Sequence, residues 1–301
     1  MINKITVTNY RDESIELDLR RPELSGFLVR GITGLGPGKA DINTSELSTI
    51  DGAFYNSARL KSRNIVLDLV LMFLPRVETM RQLSYRYFPI KKRLKLTIET
   101  ENRTSIIYGY VESNEPNIFD SQSSTSISII CPDPYFYSED ITTTLFSGVE
   151  GGFEFPFSNE SLINPLLEMG DMILSQAQNI SYEGDSEIGI TIFIHALGEC
   201  TNLTIYNTGT EESMVIDTDK LIALTGDPII AGDDIVITTN KGSKSIILTR
   251  DGTSISILNC LGKNINWLSL TNGDNELMFF ADTGVTNLQF RIENQTMYEG
   301  V

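Results

Sequence analysis

The single histidine, His195, lies in the apolar run Ile192-Phe193-Ile194-His195-Ala196-Leu197, so no pair of imidazoles is available to hold zinc or to relay a proton. That setting predicts a structural residue in a core strand. Cys131, Cys200 and Cys260 are odd in number, far apart and free of CxxC spacing, which argues against a disulfide framework or a metal knuckle and predicts reduced, partly buried thiols. The stretch Gly31-Ile32-Thr33-Gly34-Leu35-Gly36-Pro37-Gly38-Lys39-Ala40 invites a phosphate-loop reading, but the spacing fails. The first glycine of such a loop would fall at Thr33, and Ala40 stands where a Ser or Thr must reach magnesium. A backbone turn with positive φ is expected instead.

Carboxylates cluster at Glu183, Asp185 and Glu187, at Asp217 and Asp219, and at Asp233 and Asp234. Calcium needs six to eight converging oxygens, and none of these clusters has the twelve-residue loop ending in glutamate. Paired carboxylates also serve glycoside hydrolysis, which sits in aromatic-lined clefts. The one tryptophan, Trp267, falls in the alternating run Asn266-Trp267-Leu268-Ser269-Leu270 and is expected in the core. No Ser/His/Asp arrangement or nucleophile elbow is visible, so no catalytic residue, cofactor-binding residue or metal ligand is assigned and no cofactor is expected.

The elements that would position any such group belong to an acidic chain of 301 residues, long enough for two domains. With 23 basic and 40 acidic side chains its net charge of −17 disfavours coating nucleic acid or binding a membrane through basic residues. The charge is unevenly spread. Residues 1–145 carry 17 basic and 18 acidic groups, whereas residues 146–301 carry 6 and 22. That step, beside the candidate hinge Ser147-Gly148-Val149-Glu150-Gly151-Gly152, predicts domains at 1–145 and 146–301. The start Met1-Ile2-Asn3-Lys4 lacks the apolar run of a signal peptide, so a cytosolic chain is expected and Asn-x-Thr triplets such as Asn202-Leu203-Thr204 are incidental. The longest apolar run, Ile65 to Leu74, is interrupted by Asp68 and is too short to span a bilayer, so membrane insertion is not expected.

The first half reads as strands with one helix. Leu94, Leu96 and Ile98 alternate with Lys95, Thr97 and Glu99, and Ile127 and Ile129 alternate with Ser126 and Ser128. Ile65 to Phe73 is apolar on both parities and is expected as a central strand covered on two sides. Pro75, Glu78, Met80, Leu83 and Tyr87 carry a helical spacing that Phe88-Pro89 ends. Lys91, Lys92 and Arg93 follow as a solvated turn at its negative end. The second half reads as short strands, including Ile235 to Thr239 and Leu288 to Glu293, with turns at Lys241-Gly242, Asp251-Gly252 and Gly273-Asp274; a β-sandwich without a convincing helix is expected.

An ordered series of motifs resembles the distal tail protein (Dit) family of long-tailed, non-contractile bacteriophages. The series begins with Gly31-Ile32-Thr33-Gly34-Leu35-Gly36, Asp51-Gly52, and Arg59 with Arg63 and Ile65. It continues with Arg81-x-Leu83-x-Tyr85 and Phe88, then Cys131-Pro132-Asp133-Pro134-Tyr135-Phe136, the most specific piece. Glu183-Gly184-Asp185, Ile216-Asp217-Thr218, Gly273-x-Asn275 and Tyr298-x-Gly300 complete it.

The resemblance implies a mainly β structural protein with a ring-forming amino-terminal domain and a galectin-like carboxy-terminal β-sandwich. It implies a homohexamer at the virion tail tip, assembled in the host cytoplasm. The partners implied are the tail tube protein, the tail-associated spike or fibre hub protein and a receptor-binding protein, with no sequence-specific nucleic acid. No catalytic residue is implied. A carbohydrate-binding module acting in host adsorption, or a wall-degrading glycosidase, are the alternative readings.

Overall fold

The computed structural model describes residues 1–47, 51–72, 76–117, 123–151, 170–174, 177–263 and 265–301. The chain forms two compact units, Met1–Glu139 with Met297–Val301, and Asp140–Thr296. Recounted over these units the charges are again 17 basic with 18 acidic and 6 with 22, because Glu299 enters the first unit as Asp140 leaves it.

The first unit contains β1 (Ile2–Thr8), β2 (Ser14–Asp18), β3 (Phe27–Thr33), β4 (Ala40–Ser45), β5 (Phe54–Leu60), β6 (Arg63–Leu71), helix α1 (Val77–Tyr87), β7 (Arg93–Thr100), β8 (Thr104–Asn117), β9 (Ser124–Cys131) and β10 (Phe136–Ser138). Its main antiparallel sheet runs β2-β1-β7-β8-β9-β6-β3. The expected alternation places Leu94, Leu96, Ile98, Ile127 and Ile129 in one buried cluster with Ile5, Val7 and Phe27. Met80 and Phe88 of the helical segment enter the same core, while Pro75 lies outside the described residues. The strand expected to be covered on two sides is β6, and it has one wet face: Asn64 is exposed and Val66 and Asp68 are half-buried. The run's Phe73 lies outside the described residues.

The second unit contains β11 (Thr142–Leu145), β12 (Ser147–Gly151), β13 (Gly170–Leu174), β14 (Ala177–Tyr182), β15 (Ile188–Gly189), β16 (Thr191–Ala196), β17 (Thr204–Asn207), β18 (Glu212–Val215), helix α2 (Thr218–Thr225), β19 (Asp234–Thr238), β20 (Ser245–Arg250), β21 (Thr253–Ser256), β22 (Ser269–Leu270), β23 (Gly273–Phe280) and β24 (Leu288–Asn294). Two antiparallel sheets, β11-β24-β16-β19-β20-β21 and β14-β23-β17-β18, make the expected sandwich. Phe279 of β23 stacks on Phe290 of β24 at 3.6 Å between ring centroids, and Phe146 meets Phe279 edge-on at 4.8 Å.

Two expectations change here. The stretch read as a hinge is β12, hydrogen-bonded to β13, because a glycine-containing segment with a strand partner need not be a turn. A helix also occurs in this half: Asp217 caps it by accepting from Lys220 N, and Gly226 ends it at φ +94°. Eight residues give too few repeats for a periodicity to stand out. The last strand, β25 (Met297–Tyr298), returns to the first unit and pairs with β10.

Candidate assembly surfaces

The motifs that are scattered in sequence converge on one guanidinium. Arg63 opens β6 at 6% exposure, and its Nε donates to Pro134 O at 2.7 Å. Its Nη1 donates to Gly34 O at 2.7 Å and to Gly36 O, and its Nη2 donates to Glu299 O at 2.6 Å. The guanidinium lies over the Phe136 ring, 4.6 Å from its centroid. Burial lowers its pKa, so the surrounding carbonyls carry the task of keeping the cation in place. The glycine-rich stretch is thereby explained as the turn it was expected to be. Gly34 has φ +85°, and a Cβ there would stand 2.1 Å from Asn64 O.

The Cys131-Pro132-Asp133-Pro134 segment supports the same node. Asp133 accepts from Tyr135 N at 3.3 Å and from the Tyr137 hydroxyl at 2.6 Å, the local turn role expected of it. Cys131 is fully buried against Gly109, where a Cβ would stand 2.8 Å from its sulfur. Burial pushes its thiol pKa up to about 12 and that of Cys200 up to about 11. All three cysteines are free and buried, which leaves them poor nucleophiles.

Several of the other residues singled out by type have structural partners. His195 sits on β16 but on its outward face, where Nδ1 lies 2.7 Å from Asp234 Oδ1; Ile194 and Ala196 take the core side instead. Its strand lies inside the sheet, between β24 and β19, while strand parity, not the apolar company of a residue, decides which face the ring occupies. Trp267 precedes the short β22, is half-buried, and lies under Lys244 Nζ at 5.1 Å, while Leu268 and Leu270 take the core positions. Asp217 caps α2, and Asp233, 1% exposed, holds Arg250 through contacts of 2.8 and 2.6 Å. Among the described residues no group of three His, Cys, Asp or Glu side chains could hold a metal, and no helix is long and apolar enough to cross a membrane. Lys92 and Arg93 lie over Tyr10 and Tyr108, so these cations rest on aromatic faces.

One surface was not legible in the sequence. Strands β4 and β5 form a two-stranded ribbon of their own, paired from Ala40↔Leu60 to Ser45↔Phe54 and outside the buried core cluster. Ile42, Leu47, Phe54 and Tyr55 along it are exposed, the last two at 52% and 67%. Isolated ribbons of two strands are marginal in water, and apolar side chains on both faces leave this one short of cover. Its sequence alternates too weakly to announce a strand pair, and only the exposure identifies it as a surface.

No protein-family model and no curated protein sequence matches the chain. Among solved structures, that of SPP1 Dit (gp 19.1), described there as a paradigm of the hub adsorption apparatus in phages infecting Gram-positive bacteria, aligns with 97% of this chain and 98% of its own. Its TM-score is 0.65 at 12% identity. Two structures of the phage P2 baseplate in its activated conformation, with Ca and with Sr, align at TM-scores of 0.49 and 0.48 and 12% identity, over 98% and 97% of both chains. The chain has the fold of SPP1 Dit over nearly its whole length.

Proposed function

We propose that this chain is a structural hub protein of a bacteriophage tail tip, forming a hexameric ring that joins the tail tube to the tail-tip spike or fibre and the receptor-binding apparatus. The observation that carries this reading is the alignment with SPP1 Dit over 97% of the chain, which takes in both units. The β4–β5 ribbon supports it. Apolar side chains on a projecting two-stranded arm gain cover when the arm lies on a neighbouring copy, and a heterologous contact repeated around a closed ring satisfies every arm. The charge distribution agrees. The first unit, with 17 basic and 18 acidic groups, can pair its charges across seams, whereas a unit with 6 and 22 is better tolerated at the periphery in screened solvent. On this reading the acidic sandwich is an outward platform for proteins of the adsorption apparatus, and the protein works without catalysis.

Light scattering on the full chain across a concentration series tests this. A species of six times 33.5 kDa is expected, reverting to the single-chain mass when Phe54→Ser and Tyr55→Ser are combined on the ribbon. A monomer under every condition, including with added tail tube protein, would overturn the ring.

A further inference from the structure

Residues 297–301 leave the second unit's strands and are held at every step by the first unit. Met297 and Tyr298 pair with Tyr137 and Phe136. Glu299 O receives the buried Arg63, and Gly300 O receives Arg103 Nη2 at 2.7 Å while the Arg103 guanidinium covers the Tyr298 ring at 4.1 Å. Val301 N donates to Leu35 O at 3.0 Å. Gly300 fits a backbone cradle in which a Cβ would stand 3.2 Å from Leu35 O and from Pro37 N. Met297 is buried, and Tyr298 and Val301 pack against the first unit's core. The segment is therefore read in detail: an added strand with an aromatic side chain under a guanidinium, two carbonyls held by arginines, and a glycine whose Cβ-less backbone sits tightly against Leu35 and Pro37.

We propose that residues 297–301 are the built-in ligand of a peptide-binding cleft in the first unit, and that seating them is the step that makes this unit competent to assemble. Arg63 ties the glycine turn, Pro134 and the chain end together, so without the end its Nη2 faces an open cleft and β10 loses its outer partner. A chain that stops short of residue 297 carries an incomplete first unit, whatever the state of the sandwich. Seating of residues 297–301 thus becomes a checkpoint for oligomerisation. The cleft stands on the geometry alone, and its consequence for assembly rests on the ring reading above.

The test uses the full chain ended at Thr296 and a synthetic hexapeptide of residues 296–301. Hydrogen exchange at Phe136–Ser138 is expected to quicken about tenfold or more in the truncated chain, with β19 and β20 unchanged, and to be restored saturably by the hexapeptide. The same hexapeptide carrying Gly300→Val is expected to restore nothing. Unchanged exchange after truncation, or equal rescue by the two peptides, would overturn the cleft. If truncation unfolds the chain outright, Gly300→Val in the full-length protein decides: faster exchange at Phe136–Ser138 supports the cleft, and wild-type exchange overturns it. Light scattering separates the two readings. Peptide-dependent assembly of the truncated chain supports the checkpoint; a closed cleft with no assembly, while the intact chain assembles, overturns the checkpoint alone; an intact chain that never assembles sinks the ring and leaves the cleft standing.

Discussion

Each unit fixes one arginine, buried Arg63 in the first and half-buried Arg250 in the second, and the two are held in different ways. Arg63 of the first unit is held by backbone carbonyls at Gly34, Gly36, Pro134 and Glu299, up to 236 residues away in sequence. Arg250 of the second unit meets the buried Asp233 carboxylate with two nitrogens and takes Pro228 O as well, all within 22 residues. Burial lowers the pKa of the first, whereas the hydrogen-bonded Asp233 raises that of the second. A carboxylate gives an ion pair that can be removed as a pair. Carbonyls from three distant segments make the guanidinium a fastener, and no single compensating change exists for it.

Breaking the fastener should have the largest effect. Arg63→Ala leaves its carbonyls without their donor and unties the chain end, so the first unit should lose on the order of 5 kcal/mol. Urea unfolding of the full chain is expected to show the transition reported by the first unit moving while that of Trp267 fluorescence stays; equal movement of both would deny the units separate cores. Asp233→Ala should cost the second unit about 3–5 kcal/mol, and adding Arg250→Met should recover most of it. A double variant no better than the single one would erase the distinction drawn between the two arginines.

Glycines sharpen the contrast at smaller amplitude. Gly34 and Gly252 have similar φ values, +85° and +75°, but a Cβ would meet Asn64 O at the first and open space at the second. Gly34→Ala should cost about 3 kcal/mol and Gly252→Ala about 1 kcal/mol. Equal costs in thermal melts would mean that backbone conformation alone sets the penalty.

The smallest effect concerns acid. Arg86 and Asn9 hold the Glu13 carboxyl well below its usual 4.5, at about 2. The depressed value means that its contribution is complete above the unfolded-state pKa and is lost as pH falls from about 4.5 through about 2. A carboxyl NMR titration should place the Glu13 midpoint near 2 in the wild type and move it up toward the ordinary value in Arg86→Ala, with the Asn9 contact still holding it down in part. A wild-type midpoint near 4.5 would show the contact to be absent in solution.

Much of the fold was legible from local patterns because period-2 alternation reports directly which side of a strand is wet. The alternations at Leu94 to Glu99, Ser126 to Ile129 and Leu288 to Glu293 all became strands with the expected faces buried. The two-residue turn at Asp251-Gly252 was legible for the same local reason, since both residues adopt positive φ. The sequence by itself also determined the charge asymmetry, which shifting the unit boundary to Glu139 and the chain end leaves unchanged. Tertiary structure alone decided the rest. His195 is surrounded by apolar neighbours in sequence yet faces outward, because it falls on the less buried parity of its strand. The exposure of Phe54 and Tyr55 follows from β4 and β5 lying, among the described residues, outside the buried core cluster, which no window of sequence contains. The convergence of Gly34, Arg63, Pro134 and Glu299 is a sum of long-range contacts, and pairings across 29, 71 and 236 residues leave no periodic trace in a single chain. Local propensity therefore wrote the strands, and the folded topology decided which of their residues share a site.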